Sequence, residues 1–214
     1  MMTTDGQTPR KVAERLGDDE IHVWRLGYDH HEGRAPLLAM LAIYLGVPVH
    51  TVRLEEAAHG RPLLAPEHGE AFAFNWSHSS DQAVIAIARG VVPGIDLERV
   101  RPHPRALAIA RRYFSPDETQ ALEQLPDGQR DRAFLEIWTA KEAVLKALGR
   151  GIAFGLDRLS ISGSGDLPVL GRLDGHQASQ WQLHRLVLDE AHVGSLAWHG
   201  EPRRIRQWTL ADGR

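Results

Sequence analysis

The chain of 214 residues contains no cysteine, which excludes disulfides, thiolate metal sites and a cysteine nucleophile together. It also lacks any run near the ~18 apolar residues of a membrane span. Its opening residues, M-M-T-T-D-G-Q-T-P-R-K, have no apolar secretory core. Strong charge of either sign is missing too. The 25 Lys and Arg against 28 Asp and Glu leave a formal net charge of −3, so no global field draws the chain to nucleic acid or membrane. Neither a solenoid repeat nor a low-complexity linker is present. These absences point to a cytoplasmic globular protein, long enough for one large domain or two small ones.

What is present organises itself around Phe134 to Gly151, F-L-E-I-W-T-A-K-E-A-V-L-K-A-L-G-R-G. Phe134, Trp138, Val144, Leu145 and Leu148 recur at helical spacing, and Gly149 and Gly151 supply the stop. Glu142 and Lys146, four apart, share one face of this helix. A Glu–Lys pair at that spacing is commonly surface support, so upstream residues must decide its meaning.

Taken in order, residues 1–18 are polar and mixed in charge and read as a disordered tail. Ile21 to Leu26 alternates as a strand. After a loop carrying His30 and His31, read as solvated, Arg34 to Leu45 forms a helix ending at Gly46. A short strand is expected around Val49 to Leu54, followed by a Gly-centred turn that presents Arg61 before Pro62. Phe72–Trp76 and Ala83–Ala88 read as a hairpin with Ser77, His78 and Ser79 at its tip. Donors there can converge on an anion, although Ser and Asp are favoured in turns regardless.

In G-I-D-L-E-R-V, Gly94 to Val100, Asp96 and Glu98 project from one face of a strand and Ile95 and Leu97 from the other. Two carboxylates about 7 Å apart repel unless a cation lies between them. Hard divalent ions take such oxygen ligands, and the bland alternative is the polar face of an edge strand. Five arginines (99, 101, 105, 111 and 112) then follow without an acid. F-S-P-D-E announces a helix with Ser115 as N-cap, Pro116 at N1 and Glu118 closing a capping box; P-D-G-Q-R reads as a loop. Segments near 156–162, 181–188, 193–198 and 205–209 read as strands.

The order H-G-R-P, F-N-W-S-H-S, G-I-D-L-E, F-S-P-D-E, W-T-A-K-E-A-V-L-K resembles the 4′-phosphopantetheinyl transferases, specifically their monomeric two-lobed (Sfp-like) class. The resemblance covers roughly residues 46 to 162. It implies an α+β fold of two similar lobes in pseudo-twofold arrangement with the active site in the cleft between them. After the tail, an N-terminal lobe would span 19–93 and a C-terminal lobe 94–214. It further implies transfer of phosphopantetheine from coenzyme A to a serine of an acyl or peptidyl carrier protein, with release of adenosine 3′,5′-bisphosphate. By this carry-over Asp96, Glu98 and Glu142 hold Mg2+, or Mn2+ in its place. Lys146 meets the phosphates, Arg61, Ser77 and His78 bind coenzyme A, and Glu142 is the candidate general base. Carriers are acidic as a class, so Arg99, Arg105, Arg111 and Arg112 are the expected dock.

Two departures stand out. Arg61 occupies a position where relatives commonly have lysine, keeping the charge but changing its geometry. The region before the first motif is short, and Leu37-Leu38 replaces a frequent Leu-Arg, leaving Arg34 one turn earlier as the substitute cation. An inactive relative that binds coenzyme A or a carrier, and a metal-dependent pyrophosphatase, are the competing readings.

Overall fold

The computed structural model describes residues 2–3, 6–163 and 168–210. After a short helix α1 (Pro9–Ala13), the chain follows one path twice. The first pass is β1 (Glu20–Gly27), α2 (Ala35–Leu45), a small hairpin of β2 (Leu54–Glu56) and β3 (Pro62–Leu64), then β4 (Ala73–Ser79) and β5 (Gln82–Ala88). The second begins with β6 (Gly94–Arg99) and runs through α3 (Ala106–Tyr113), α4 (Pro116–Gln124) and α5 (Asp127–Leu148). It continues with a hairpin of β7 (Leu159–Ser162) and β8 (Val169–Leu173), then β9 (Trp181–Arg185) and β10 (His192–His199). Strand order is β1-β5-β4 in the first sheet and β6-β10-β9 in the second, antiparallel throughout. The fold is therefore α+β with a repeated topology. The last strand, β11 (Arg204–Thr209), breaks the symmetry by returning to pair parallel with β1. A division at 93/94 thus cannot assign the C-terminal strand to the second lobe.

Period-2 alternation places the layers. In β1, Trp24 and Leu26 pack with Ile85, Ile87 and the α2 residues Leu37 and Leu41. Ile21 and Val23 face the other way, into a cluster with Val84 and Ala86 of β5, Ile95 and Leu97 of β6, and Leu196 and Trp198 of β10. That cluster joins the two sheets. On the far side of the second sheet, α5 buries Ala140, Ala143, Val144 and Leu145 against Ala197 and the β7–β8 hairpin. Gly94 permits the approach, because a Cβ there would lie 2.0 Å from the Ala143 carbonyl oxygen. Gly149 ends α5 at φ 72° and Gly46 ends α2 at φ 69°, the left-handed turn glycine adopts freely.

Several local expectations are corrected. The supposed tail contains α1, capped by Thr8, and buries Val12 and Leu16 in the first core; two apolar residues four apart suffice to dock one turn. Ser77, His78 and Ser79 lie within β4, since Ser79 pairs with Gln82 and the tip is Ser80–Asp81, with Ser80 at φ 57°. Val49–Thr51 is a 3₁₀ turn in which Thr51 Oγ1 donates to the Pro48 carbonyl at 2.7 Å, displacing strand structure to β2. Asp127–Arg130, expected as a loop, is the first turn of α5, entered from Pro126. Strand β8 escaped notice because Gly171 interrupts its alternation. The expected helix at Arg34–Leu45, the strand at Ile21–Leu26 and the Ser115–Glu118 capping box are all present. Among the described residues no helix is long and apolar enough to cross a membrane.

Candidate active site

The site begins at the seam where β4 of the first sheet lies beside β6 of the second. These strands belong to separate hydrogen-bonded sheets, and side chains bridge them. Asn75, Ser77 and Ser79 alternate on β4 and so point the same way. Asn75 Oδ1 accepts the Ile95 N–H at 2.9 Å. Ser77 Oγ donates to Asp96 Oδ1 at 2.8 Å. Ser79 Oγ donates to Glu98 Oε2 at 2.9 Å and accepts the Arg99 N–H at 3.1 Å.

Helix α5 packs across the face of β6 that carries Asp96 and Glu98 and supplies the remaining groups. Lys146 Nζ donates to Asp96 Oδ1 at 2.7 Å and to the Ile95 carbonyl at 3.1 Å. Asp96 and Glu142 are both buried, and Asp96 Oδ2 and Glu142 Oε1 have no hydrogen-bond partner among the described residues. Burial, then the negative charge of Asp96, pushes the Glu142 carboxyl up to about 7; Lys146 opposes this and Glu98 adds to it. Glu98 is raised as well, first by burial and then by Asp96, against the Ser79 hydrogen bond and the charges of Arg101 and Lys146. The structure thus brings Asp96, Glu98, Glu142 and Lys146 into one electrostatic unit.

Arg61 approaches from the first lobe. The chain reverses at His59 and Gly60, both with positive φ, and Arg61 Nη1 then donates to the Lys146 carbonyl at 3.1 Å. A cavity of about 290 Å³ opens there, walled by Arg61, Asn75, Trp76, Glu142, Lys146 and Ile152. Beyond Arg61 an open groove of about 910 Å³ continues past Phe72, Phe74, Val91 and Leu148 to Trp181. His78 stands farther along β4 with its exposed ring stacked on Tyr28 at 4.5 Å. Partial burial and then the Lys146 charge lower its pKa.

The carboxylates do not form a closed cage. Among the described residues, Asp29, His30 and His31 are the only three candidate ligands whose atoms all lie within 4.8 Å of one another, and all three are exposed. Asp29 there accepts the His31 N–H at 2.9 Å as a helix cap, which explains the cluster as turn structure. Of the arginines, Arg99 pairs with Asp81, Arg111 with Glu123, and Arg112 lies 5.1 Å over the Tyr113 ring. Arg34 pairs with Glu56.

A family model described as "4'-phosphopantetheinyl transferase superfamily" matches residues 93–197. The chain is also similar to the 4'-phosphopantetheinyl transferase HetI of Nostoc sp., being 32% identical over an alignment of 233 positions, gaps included, that covers 94% of this chain and 96% of that protein. The chain belongs to the 4′-phosphopantetheinyl transferase superfamily. Shorter matches agree. With 4'-phosphopantetheinyl transferase psf-1 of Bacillus pumilus it shares 36% identity over 62% of this chain and 54% of that one. With the human L-aminoadipate-semialdehyde dehydrogenase-phosphopantetheinyl transferase it shares 30% over 77% of this chain and 59% of that one.

Sequence reasoning overlooked two features of this transferase. The polar alternation Asn75-x-Ser77-x-Ser79 inside a strand was the available sign of the seam, obscured by placing the serines in a turn. Lys141, beside Glu142, is wholly buried and gave no sign beyond its place in the helix. Its Nζ donates to the Leu156 and Leu159 carbonyls at 2.8 and 2.6 Å and pairs with Glu118 at 2.9 Å. Glu118 in turn accepts the Ser115 and Ile161 N–H groups, both at 2.7 Å. That network ties α5 to the start of α4 and to β7, fixing the face that α5 turns toward β6.

Proposed function

We propose that this protein transfers the 4′-phosphopantetheine group of coenzyme A to a serine of an apo acyl or peptidyl carrier protein, with Mg2+ or Mn2+. The reading is carried by the buried carboxylates at Asp96 and Glu142, each with an unpartnered oxygen, beside the Lys146 ammonium. A pure binding protein has no use for such a costly arrangement.

The donors fit a hard divalent cation: they are carboxylate oxygens, two of them orphaned, whose mutual repulsion a cation relieves. Asp96, Glu98 and Glu142 would hold it. Such an ion supplies charge neutralisation at a pyrophosphate. Without an ion, burial and the Asp96 charge raise the Glu142 carboxyl to about 7; with the ion bound it would be an ionised carboxylate able to take the proton of the carrier serine hydroxyl. The serine oxygen forms a bond to the phosphorus bearing pantetheine as the bond to the adenosine-side phosphate breaks. Lys146 neutralises the departing phosphate charge. Arg61, on the wall of the same cavity, and His78 with Ser77 on β4, are assigned to holding coenzyme A. That molecule exceeds the 290 Å³ cavity alone, and the groove beyond Arg61 extends it.

The test is to incubate the protein with coenzyme A, Mg2+ and an apo-carrier protein and to weigh the carrier. A mass gain of one phosphopantetheine, lost in excess chelator and restored by Mg2+, is expected. An unmodified carrier across fatty-acid, polyketide and nonribosomal-peptide classes, or full turnover in chelator, would refute the proposal.

A further inference from the structure

The seam between the sheets carries a pattern the reaction chemistry does not itself require. On β6 each acidic side chain has one carboxylate oxygen held by a serine of β4. Ser77 holds Asp96 Oδ1, and Ser79, two residues on, holds Glu98 Oε2. The remaining oxygen of Asp96 is buried and unpartnered. Ser79 is more than a donor, because its Oγ also accepts the Arg99 N–H. It therefore fixes the β6 backbone and the Glu98 carboxylate with the same atom. No main-chain ladder joins β4 to β6, so the placement of Glu98 relative to the first lobe depends on such side-chain bridges.

We infer that Ser79 is a positioning residue: its hydroxyl orients Glu98 so that the oxygen outside that bond is presented to a divalent cation shared with Asp96 and Glu142. This rests on the proposed metal-dependent transfer. A hydroxyl orienting one carboxylate oxygen lowers the entropy lost when the other takes a cation, and partners of metal ligands typically contribute 10–100-fold in metal affinity. Ser79 is half-buried at the end of β4, so shortening it leaves no large cavity.

Direct Mn2+ binding, followed by electron paramagnetic resonance on the whole protein without coenzyme A, tests this. Ser79→Ala should weaken Mn2+ by about 10–100-fold with the thermal midpoint little changed, and Ser79→Thr, which keeps the hydroxyl, should bind Mn2+ close to wild type. Glu98→Ala separates the inference from its foundation. If Glu98→Ala weakens Mn2+ and Ser79→Ala does not, Ser79 is not a positioning residue and the metal reading survives. Mn2+ affinity unchanged in Glu98→Ala as well would overturn both. Equal losses in Ser79→Thr and Ser79→Ala would likewise exclude a role for the hydroxyl.

Discussion

The first strand of each pass carries an Ile-x-aliphatic-x-Arg stretch, Ile21-His22-Val23-Trp24-Arg25 in β1 and Ile95-Asp96-Leu97-Glu98-Arg99 in β6. In both, the first and third residues enter the apolar cluster between the sheets, and the second and fourth turn toward that pass's own helix. Those positions then diverge. In the first lobe the Tyr44 hydroxyl accepts from Trp24 Nε1 and sits 2.7 Å from His22 Nδ1, while His22 Nε2 lies 3.3 Å from Glu20. Each ring nitrogen there has a partner. In the second lobe the equivalent face leaves Asp96 Oδ2 and Glu142 Oε1 unpaired and clusters three carboxylates. One architecture, used twice, gives a hydrogen-bonded face in one copy and unpartnered carboxylate oxygens in the other. Buried carboxylate oxygens without partners are where a ligand is expected.

The largest effect that could break this comparison is on catalysis. Asp96→Ala or Glu142→Ala should cut transfer to the carrier by about a thousandfold or more, a loss of ~4 kcal/mol in transition-state stabilisation. His22→Phe, at the matching place in β1, should leave the rate within about threefold and instead cost stability of about 1–3 kcal/mol, because Tyr44 and Glu20 lose a partner. Initial rates by carrier mass and urea midpoints separate the two. Comparable rate losses in both lobes would erase the functional difference between them.

How far the sequence revealed this arrangement depended on the range of the interactions. Ser115–Glu118 was legible because a capping box is local, and the α5 face carrying Glu142 and Lys146 because helical periodicity is local too. The pairing of β11 with β1 was not, since nothing in R-I-R-Q-W-T specifies which sheet receives it. Ser79 was misplaced because Ser-His-Ser-Ser-Asp has turn composition throughout, and only the register with Gln82 locates the tip at Ser80–Asp81. Lys141 was invisible as a buried hub because its partners lie in α4 and the residues around β7. That Asp96, Glu98, Glu142 and Lys146 belong to one site was implied only by the family resemblance, and the serine bridges that join the lobes were not implied at all.

A smaller effect sharpens the comparison through pH. Glu142 faces Asp96 and Glu98, which raise its pKa, and Lys146, which lowers it; burial dominates and the value is about 7. Below the ordinary carboxyl pKa both folded and unfolded chains hold the proton. Between that value and about 7 the unfolded chain releases it and the folded one does not, so stability falls as pH rises. The loss is at most about 3 kcal/mol. His22 has the opposite sign. Burial lowers its pKa against the pull of Glu20, with Arg206 adding slightly to the lowering, so the unfolded chain takes up a proton first and stability falls as pH drops below the ordinary histidine range. In chelator, Glu142→Gln should therefore gain on wild type at pH 8 and match it near pH 4, while His22→Phe should lose less than wild type on acidification. Urea titrations at several pH values read both slopes, and a Glu142→Gln curve parallel to wild type would contradict the raised carboxyl.

The smallest expected effect concerns the basic segment after β6, which has no acidic or basic counterpart of similar density after β1. The four arginines expected to dock the carrier differ in their surroundings. Arg99 and Arg111 already pair with Asp81 and Glu123, and Arg112 lies against Tyr113. Arg105 is exposed at the N-terminal boundary of α3 and stands next to no acid in sequence. A cation is poorly placed at a helix N-terminus, so its presence there is not explained by helix stability. Arg105→Glu should favour α3 slightly through the helix dipole, by about 0.3–1 kcal/mol, which removes misfolding as an explanation for any lost function. Against an acidic carrier the reversal should raise KM for the carrier about 3–10-fold at low salt, with KM for coenzyme A unchanged. Raising ionic strength should shrink the difference, because exposed charges beyond a Debye length of about 8 Å are screened at physiological salt. Arg111→Glu supplies the contrast: it faces Glu123, so it should lower stability without a comparable rise in carrier KM. If the two reversals act alike on the carrier and neither effect fades with salt, the segment is a solvated basic face and the dock lies elsewhere.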